Sequence, residues 1–108
     1  MKRRLVIRPS AEREIDDQTQ YLADEASVAV ARRFLAAINT TLSLLQDEPG
    51  LGARWSSEHP RLHDVRRKIV KGFRNYLIFY RADQTQVEVL HLYHAAQNID
   101  ELLEASEG

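Results

Sequence analysis

The stretch of sequence that decides the fold is RNYLIFYRADQTQVEVLHLYHAAQN, residues 74–98. It contains two apolar runs rich in β-branched and aromatic residues, at residues 75–82 and 86–93, and this composition is typical of strands. Only the three residues DQT separate the runs, so we predict a hairpin of two antiparallel strands. The second run closes on His91 and His94, which makes its end either a functional site or only the last edge of a sheet.

Upstream of this hairpin, the sequence predicts two more strands. Residues 62–70 are joined to the hairpin by KGFRN, a link short enough for a second tight turn. Near the N-terminus, LVIRP at residues 5–9 predicts a short strand that Pro9 stops, because proline cannot donate to a sheet ladder. The three C-terminal strands are therefore expected to form an antiparallel meander.

Between the first strand and the meander, apolar residues recur at the spacing of two helices. Ser10 is the expected N-cap of the first helix and Ser27 that of the second, since a serine hydroxyl can accept from the free N–H groups of a first turn. Only residues 24–27 separate the helices, which predicts an antiparallel helix hairpin. The apolar faces are expected to be Ala11, Ile15, Leu22 and Ala26 in the first helix, and Val28, Ala31, Leu35, Ile38, Leu42 and Leu45 in the second.

These elements predict one α+β domain over residues 1–108, in the order β-α-α-β-β-β, with the helices on one face of the sheet. The tail IDELLEASEG is compatible with a short C-terminal helix. A long loop at residues 49–63 carries the only tryptophan, Trp55. Both faces of the 74–98 hairpin are apolar, so the face opposite the helices needs cover from a partner or from the chain's own tail.

Composition excludes several classes of protein and of site. A chain of 108 residues has room for one domain and none for a separate cofactor domain. Because there is no cysteine, disulfides, thiolate zinc sites and cysteine nucleophiles are excluded. The longest apolar run, residues 76–80, is far shorter than the roughly 20 residues that span a bilayer, and the N-terminus lacks a secretory apolar region. We therefore predict a cytoplasmic protein without membrane association.

Charge is unevenly distributed along a chain whose net charge is only −1. Residues 54–74 hold seven basic and two acidic residues, a local charge of about +5. Cations fall on both faces of the strand expected at residues 62–70, which indicates a strand at or near the sheet edge whose long side chains reach water. Such an edge is either a solvated strand kept from aggregating by its charge, or a contact surface for phosphates or acidic protein.

Patterns for catalysis and metal binding are weak. His91 and His94 are three residues apart, so in a regular strand they point to opposite faces and cannot ligate one metal. His59 and His63 lie in the long loop, and a zinc site needs three or four convergent ligands. No glycine-rich turn surrounds a serine, and no phosphate-binding glycine motif occurs. We predict neither a metal nor a cofactor.

The order and spacing of several motifs resemble the RelE/ParE toxin superfamily of bacterial type II toxin–antitoxin systems. The motifs are A-x3-I and A-x2-F-x3-I in the two helices, P-G-x-G after them, and the strand sequences V-R-R-x-x-V-x-x-F-R-N-Y-L-I-F-Y and V-E-V-L-H-L-Y-H-A-A-Q-N. The resemblance covers about residues 5–99. It implies a small toxin that a cognate antitoxin neutralises in a hetero-oligomer, with operator DNA bound only through the antitoxin.

Two branches of the superfamily differ in function, and this chain departs from both patterns. RelE-like members resemble microbial ribonucleases and cut mRNA in the ribosome, using sheet cations and, in several, a tyrosine near the C-terminus. Here Leu77 lies near the position of one such cation, Gln97 replaces an arginine expected after the last strand, and no tyrosine follows Asn98. ParE-like members lack the catalytic set and poison DNA gyrase. The resemblance therefore favours the ParE-like branch, although an arginine is common there at the Gln97 position too.

Three hypotheses follow from the resemblance. The first is a ParE-like inhibitor of DNA gyrase that acts through protein contacts without chemistry of its own, with the target-binding candidates Arg66, Arg67, Lys71, Arg74, His94 and Gln97. The second is a ribosome-dependent endoribonuclease that needs a base and cations for the developing phosphorane charge, with the candidates His94, Arg81 and Lys71. The third is an inactive member that only binds an antitoxin, because an amide at Gln97 cannot supply the charged fork of arginine.

Overall fold

The computed structural model describes residues 2–56 and 58–107 and contains, within them, three α-helices and one five-stranded sheet. The elements are β1 (Arg4–Ile7), α1 (Pro9–Glu25), α2 (Val28–Asp47), β2 (Ala53–Arg54), β3 (Arg66–Val70), β4 (Phe73–Ala82), β5 (Gln86–His94) and α3 (Ile99–Glu107). The predicted element order is confirmed, including the C-terminal helix. The exception is β2, a two-residue strand within the segment that was expected to be loop.

The sheet has the strand order β1-β5-β4-β3-β2. The predicted meander of β3, β4 and β5 is confirmed as antiparallel, while β1 pairs with β5 in parallel. The turn between β3 and β4 contains Gly72 at φ +84°, a conformation that side chains disfavour. Because β2 is so short, β3 lies near an edge of the sheet, as its cations predicted.

The sheet is covered on both faces. Helices α1 and α2 pack on one face, where the core includes Phe34, Ile38, Tyr80 and Leu92. Helix α3 covers the other face, contributing Ile99 and Leu103 to a second core with Leu62, Val65, Leu77, Phe79, Leu90 and Tyr93. Helix α3 thus lies on the face opposite the predicted helix hairpin. Of the two expected ways to cover the second face, the chain's own tail is the one observed.

The apolar face expected for α2 is partly wrong. Val28 and Leu35 are 58% and 41% exposed, whereas Phe34 is fully buried. The Phe34 ring packs edge-on against Phe73 and Tyr76, so the larger aromatic side chain determines which way the helix faces. Helix α2 also has the length and hydropathy of a membrane span, but a core helix gives the same pattern, and this one packs on the sheet.

Ser10 is not the predicted N-cap, whereas Ser27 is. Helix α1 begins at Pro9, whose fixed φ suits a first helical position, and Ser27 accepts from the N–H of Val30 at 3.1 Å. The hydroxyl of Ser10 donates instead to the carbonyl of Leu90 at 3.1 Å. Since β1 pairs with β5 only as far as Val89, Ser10 satisfies a strand edge that β1 leaves open.

A bulge in β5 positions its histidines. The register between β4 and β5 shifts so that Phe79 lies opposite His91 while Tyr80 lies opposite Val89, which leaves Leu90 as an extra residue. His91 stacks on Tyr93 on the α3 face, with ring centroids 4.6 Å apart. His94 packs edge-on against Tyr76, which belongs to the opposite core. The two histidines thus lie on opposite faces, as their spacing predicted.

The loop before β2 is fixed by Tyr80. Its hydroxyl donates to the carbonyl of Pro49 at 2.5 Å and accepts from the N–H of Gly52 at 2.9 Å. Burial raises the pKa of Tyr80, against the opposing effects of the Gly52 hydrogen bond and of Arg66. A Cβ at Gly52 would collide with the phenol and lie 2.8 Å from the carbonyl oxygen of Arg67. This close approach explains why glycine occupies the position.

We expect Gly52→Ala to lower the free energy of unfolding by about 1–3 kcal/mol, because the added methyl group forces Tyr80 or β3 to shift. Gly50→Ala is the matched control, since nothing lies within 4 Å of its Cβ position. Urea unfolding of both variants measures the difference. Equal transition midpoints for the two variants would contradict the packing described.

Candidate functional site

The six target-binding candidates fall into two groups. Lys71 and Arg74 are exposed at the turn between β3 and β4. His94 lies opposite Tyr76 at the same end of the sheet, and the N–H of Ala95 donates to the carbonyl of Asn75 at 2.7 Å. Lys71, Arg74, His94 and Gln97 thus lie at one end of the sheet, and we call these four residues the turn-end surface. Arg66 and Arg67 lie at the other end of β3, beside β2.

Arg66 and Arg67 are engaged within the protein. The Arg66 guanidinium donates to the carbonyl of Gly52 at 2.7 Å and so helps to hold the loop before β2. The Arg67 guanidinium lies 5.8 Å from the ring centroid of Trp55, a cation–π contact. Trp55 in turn packs edge-on against Phe79 and donates through Nε1 to the carboxylate of Asp100 at 3.0 Å. These contacts give both arginines a structural role that their charge alone did not indicate.

A compact hydrogen-bonded turn holds His94 and Gln97. Oε1 of Gln97 accepts from the N–H of His94 at 2.7 Å, and Nδ1 of His94 accepts from the N–H of Ala96 at 3.0 Å. A neutral His94 ring therefore carries its proton on Nε2 and acts there as a donor. An arginine in place of Gln97 could not accept the first of these bonds, so glutamine has a structural function here.

The turn-end surface borders a cleft of about 410 Å³, lined by Gln18, Tyr21, Tyr76, His94, Ala96 and Gln97. The hydroxyl of Tyr76 donates to Oε1 of Gln18 at 3.0 Å, and burial raises the pKa of Tyr76. The cleft is aromatic and amide-lined, with the exposed cations Lys71 and Arg74 at the same end of the sheet. Its chemistry is that of a recognition surface that includes the His94 imidazole.

The residues of the ribonuclease hypothesis do not come together. Arg81 lies opposite Glu88 and donates to the Asp64 carboxylate at 2.9 Å and to the carbonyl of Arg61. His94 lies opposite Tyr76, five residues away along β4, which separates it from Arg81 by roughly 16 Å along the strand. Lys71 and His94 share one end of the sheet, but Arg81 belongs to the other.

Sequence reasoning missed a partly buried polar cluster on the α3 side. Nδ1 of His91 lies 3.0 Å from Oε1 of Glu14, and its Nε2 lies 2.9 Å from Oγ of Ser106. Next to it, the Glu107 side chain is only 4% exposed and contacts Arg8 at 2.5 Å and Arg81 at 3.4 Å. We call the contacts among Arg8, Arg81, His91, Ser106 and Glu107 the Glu107 clasp.

Spacing could not reveal this clasp, because Arg8 and Glu107 are 99 positions apart in sequence. The only local signal was a run of acids in a tail that was otherwise uninformative. Among residues 2–56 and 58–107, no three acidic or histidine side chains are grouped so that they could hold a metal ion. The clasp is therefore described by its ion pairs and hydrogen bonds alone.

The clasp also affects Tyr93. Burial raises the pKa of Tyr93 to about 12, helped by the negative charges of Glu14 and Glu107 and opposed by a hydrogen bond with Ser106. An unfolded tyrosine titrates near pH 10. Below that value both states keep the phenol proton, and between the two pKa values only the folded state keeps it. The contribution of Tyr93 to stability is therefore fully present below about pH 10 and is lost as the pH rises toward 12.

We expect the protein to lose about 3 kcal/mol of unfolding free energy from this one group as the pH rises from about 10 to about 12. Tyr93→Phe is the control, since it removes the titrating phenol and keeps the ring. Urea unfolding on both sides of that interval measures the difference between the two proteins. A parallel pH dependence in wild type and variant would show that the Tyr93 pKa is not raised.

Comparison with known proteins supplies the family. The chain matches, over residues 5–99, the family model described as ParE toxin of type II toxin-antitoxin system, parDE. A chain of the solved chromosomal ParDE toxin–antitoxin system from P. aeruginosa superposes with a TM-score of 0.70 and 17% identity, covering 86% of this chain and 96% of that one. At that identity the likeness shows a shared fold. No curated protein sequence matches the chain. Because the family match spans nearly the whole sequence, the chain belongs to the ParE toxin family of type II toxin–antitoxin systems.

Proposed function

We propose that this ParE-family toxin inhibits DNA gyrase through protein contacts and that a cognate antitoxin neutralises it. The observation that carries the proposal is the exposure of Lys71 and Arg74 at the turn-end surface. Arg66, Arg67 and Arg81 are engaged in internal contacts, whereas these two cations point to solvent at a tight turn. Exposed charge of one sign speeds encounter with an acidic partner and favours correct orientation, without any need for chemistry.

The ribonuclease alternative has weaker support. Cleavage of RNA needs a base within reach of the 2′-hydroxyl and cations around the phosphorane. The neutral His94 ring is held with its proton on Nε2, which makes that nitrogen a donor and not a base. Arg81, the candidate for phosphate, is paired with Asp64 and Glu107 at the other end of β4. These arrangements favour a binding surface over a catalytic centre.

The antitoxin is expected on the helix hairpin. Since α3 occupies the second face of the sheet, the apolar residues still exposed on the hairpin include Tyr21, Val28 and Leu35. Val28 and Leu35 are seven residues apart, two turns of α2, and so share one side of the helix. An antitoxin helix with an apolar stripe would fit there. The complex would be a cytoplasmic hetero-oligomer that reaches operator DNA only through the antitoxin.

Induced expression in a bacterial host without the antitoxin tests the proposal. We expect growth arrest with filamentation, a DNA-damage response and continued bulk translation. An immediate stop in translation with fragmented mRNA would favour the ribonuclease instead. Normal growth with soluble protein present would identify an inactive member of the family.

We expect the double variant Lys71→Glu, Arg74→Glu to inhibit gyrase at least about tenfold less well, because charge reversal repels an acidic target. Lys2→Glu, Arg4→Glu is the matched control, since both cations are exposed and Arg4 pairs with Gln86 at the start of β5, at the opposite end of that strand from His94. Supercoiling assays with purified gyrase measure inhibition, and circular dichroism confirms folding. Equal losses in the two double variants would mean that net charge, and not the turn-end surface, determines inhibition.

Gln97→Arg is expected to strengthen gyrase inhibition by about three- to tenfold, because it adds a cation beside Lys71 and Arg74. The variant also loses the acceptor for the N–H of His94, but the site is exposed, so the expected cost in stability is below about 1 kcal/mol. Gln97→Met serves as control, because it loses the same acceptor without gaining charge. Equal inhibition by the two variants would exclude a role for charge at this position.

A further inference from the structure

We propose that α3 is a strap, meaning a helix that detaches reversibly from the sheet, and that the Glu107 clasp determines the fraction of time it is detached. When α3 is docked, it covers the sheet face that carries Trp55 and Arg67. When it is released, that face is exposed. The inference concerns a conformational equilibrium of the isolated chain, so it goes beyond the proposed function and holds whatever the target is.

Helix α3 has little stability of its own. It is nine residues long, and isolated helices shorter than about 12–15 residues are marginal in water. Its last turn contains no basic residue, and Glu107 lies there, at the negative end of the helix dipole. A negative charge at that end destabilises an isolated helix. The docked state therefore depends on tertiary contacts.

Those contacts are made at the first turn of α3, at its last turn and along its apolar side. At the first turn, the carboxylate of Asp100 accepts from Nε1 of Trp55. Along the apolar side, Ile99 and Leu103 are buried against the sheet. At the last turn, Glu107 contacts both Arg8 and Arg81, and Ser106 contacts His91.

Every clasp partner on the body of the protein has a second partner that stays behind when α3 leaves. Arg8 keeps Glu88, at 3.2 Å from Nε to Oε2. Arg81 keeps Asp64 at 2.9 Å, and His91 keeps Glu14 at 3.0 Å. Release of α3 therefore leaves no unpaired buried charge, which is the usual reason that breaking a buried ion pair is so costly. The released Glu107 is hydrated in solution. This arrangement makes the clasp a reversible contact.

Release also changes the environment of Trp55. Without Asp100 the indole loses its hydrogen-bond acceptor, while Phe79 and Tyr93 beneath α3 lose their cover. Arg67, one of the target-binding candidates, is held over the Trp55 ring in the docked state. The strap thus couples the clasp at one end of α3 to an arginine near the other.

The test compares Glu107→Gln with Glu104→Gln, an exposed acid on the same helix. Hydrogen exchange measures α3 opening, and the indole N–H signal of Trp55, the only tryptophan, reports on the Asp100 end. We expect Glu107→Gln to speed exchange in residues 99–107 by about tenfold or more, with α2, β4 and β5 unchanged, and to shift the indole signal. Glu104→Gln removes a charge from the same last turn without touching the clasp, so it should neither speed exchange nor shift the indole signal.

Whether Glu107→Gln speeds or slows hydrogen exchange distinguishes the contribution of the clasp from that of intrinsic helix stability. Removing a negative charge from the last turn should slow exchange if only the helix dipole matters, and should speed it if the clasp holds the helix. Ser106→Ala, which removes the hydroxyl contacts with His91 and Tyr93 but keeps Glu107, should act in the same direction with a smaller effect. Slower exchange, equal behaviour of the two glutamine variants, or equally faster exchange throughout the protein would each overturn the proposal.

Discussion

The central strands β4 and β5 are apolar on both faces, and the rest of the molecule is arranged to cover them. Tyr76, Ile78 and Tyr80 point to one side of β4, and Leu77 and Phe79 point to the other. A sheet with one solvent-exposed face needs only one layer of helices, whereas a sheet that is apolar on both faces needs a layer on each. The helix hairpin supplies the larger layer. The smaller layer is a nine-residue helix, too short to be stable alone, which is held by the buried Ile99 and Leu103 and by ion pairs at its last turn.

That constraint explains how the chain uses its cations. Arg8 and Arg81 hold the last turn of α3, Arg66 holds the loop before β2, and Arg67 covers Trp55. All four could be mistaken for a nucleic-acid or target-binding surface if charge alone were counted. The cations that remain exposed around the turn after β3 are Lys71 and Arg74, which have no such structural task within the part of the chain that the structure describes.

Much of this fold could be predicted from the sequence, because the deciding signals are local. The alternation of apolar residues correctly predicted the β4–β5 hairpin, and Ser27 correctly predicted where α2 begins. Predictions failed where a distant contact decided the outcome. The Ser10 hydroxyl donates to the Leu90 carbonyl at the edge of β5. Phe34 is buried instead of Leu35 because its ring packs against two aromatic rings of the sheet. Neither partner is visible from neighbouring residues.

In the candidate site, too, local signals could be predicted from the sequence and distant contacts could not. Pairing of β4 with β5 puts His94 and Gln97 at the end of the sheet that carries Lys71 and Arg74, a placement that follows from the predicted hairpin. The bulge at Leu90 was not predictable, and it is this extra residue that places His91 among Glu14 and Ser106.

The hydrogen bond from the N–H of His94 to Gln97 adds a further point. If only charge is considered, Gln97 means that the chain lacks the arginine that the resemblance implied at this position. Judged by its contacts, it closes the turn that fixes the imidazole, a task that requires an acceptor and that arginine cannot perform. Where the resemblance implied an arginine, this chain thus has a glutamine that holds this end of the sheet together, and a loss of activity does not follow from the residue type alone.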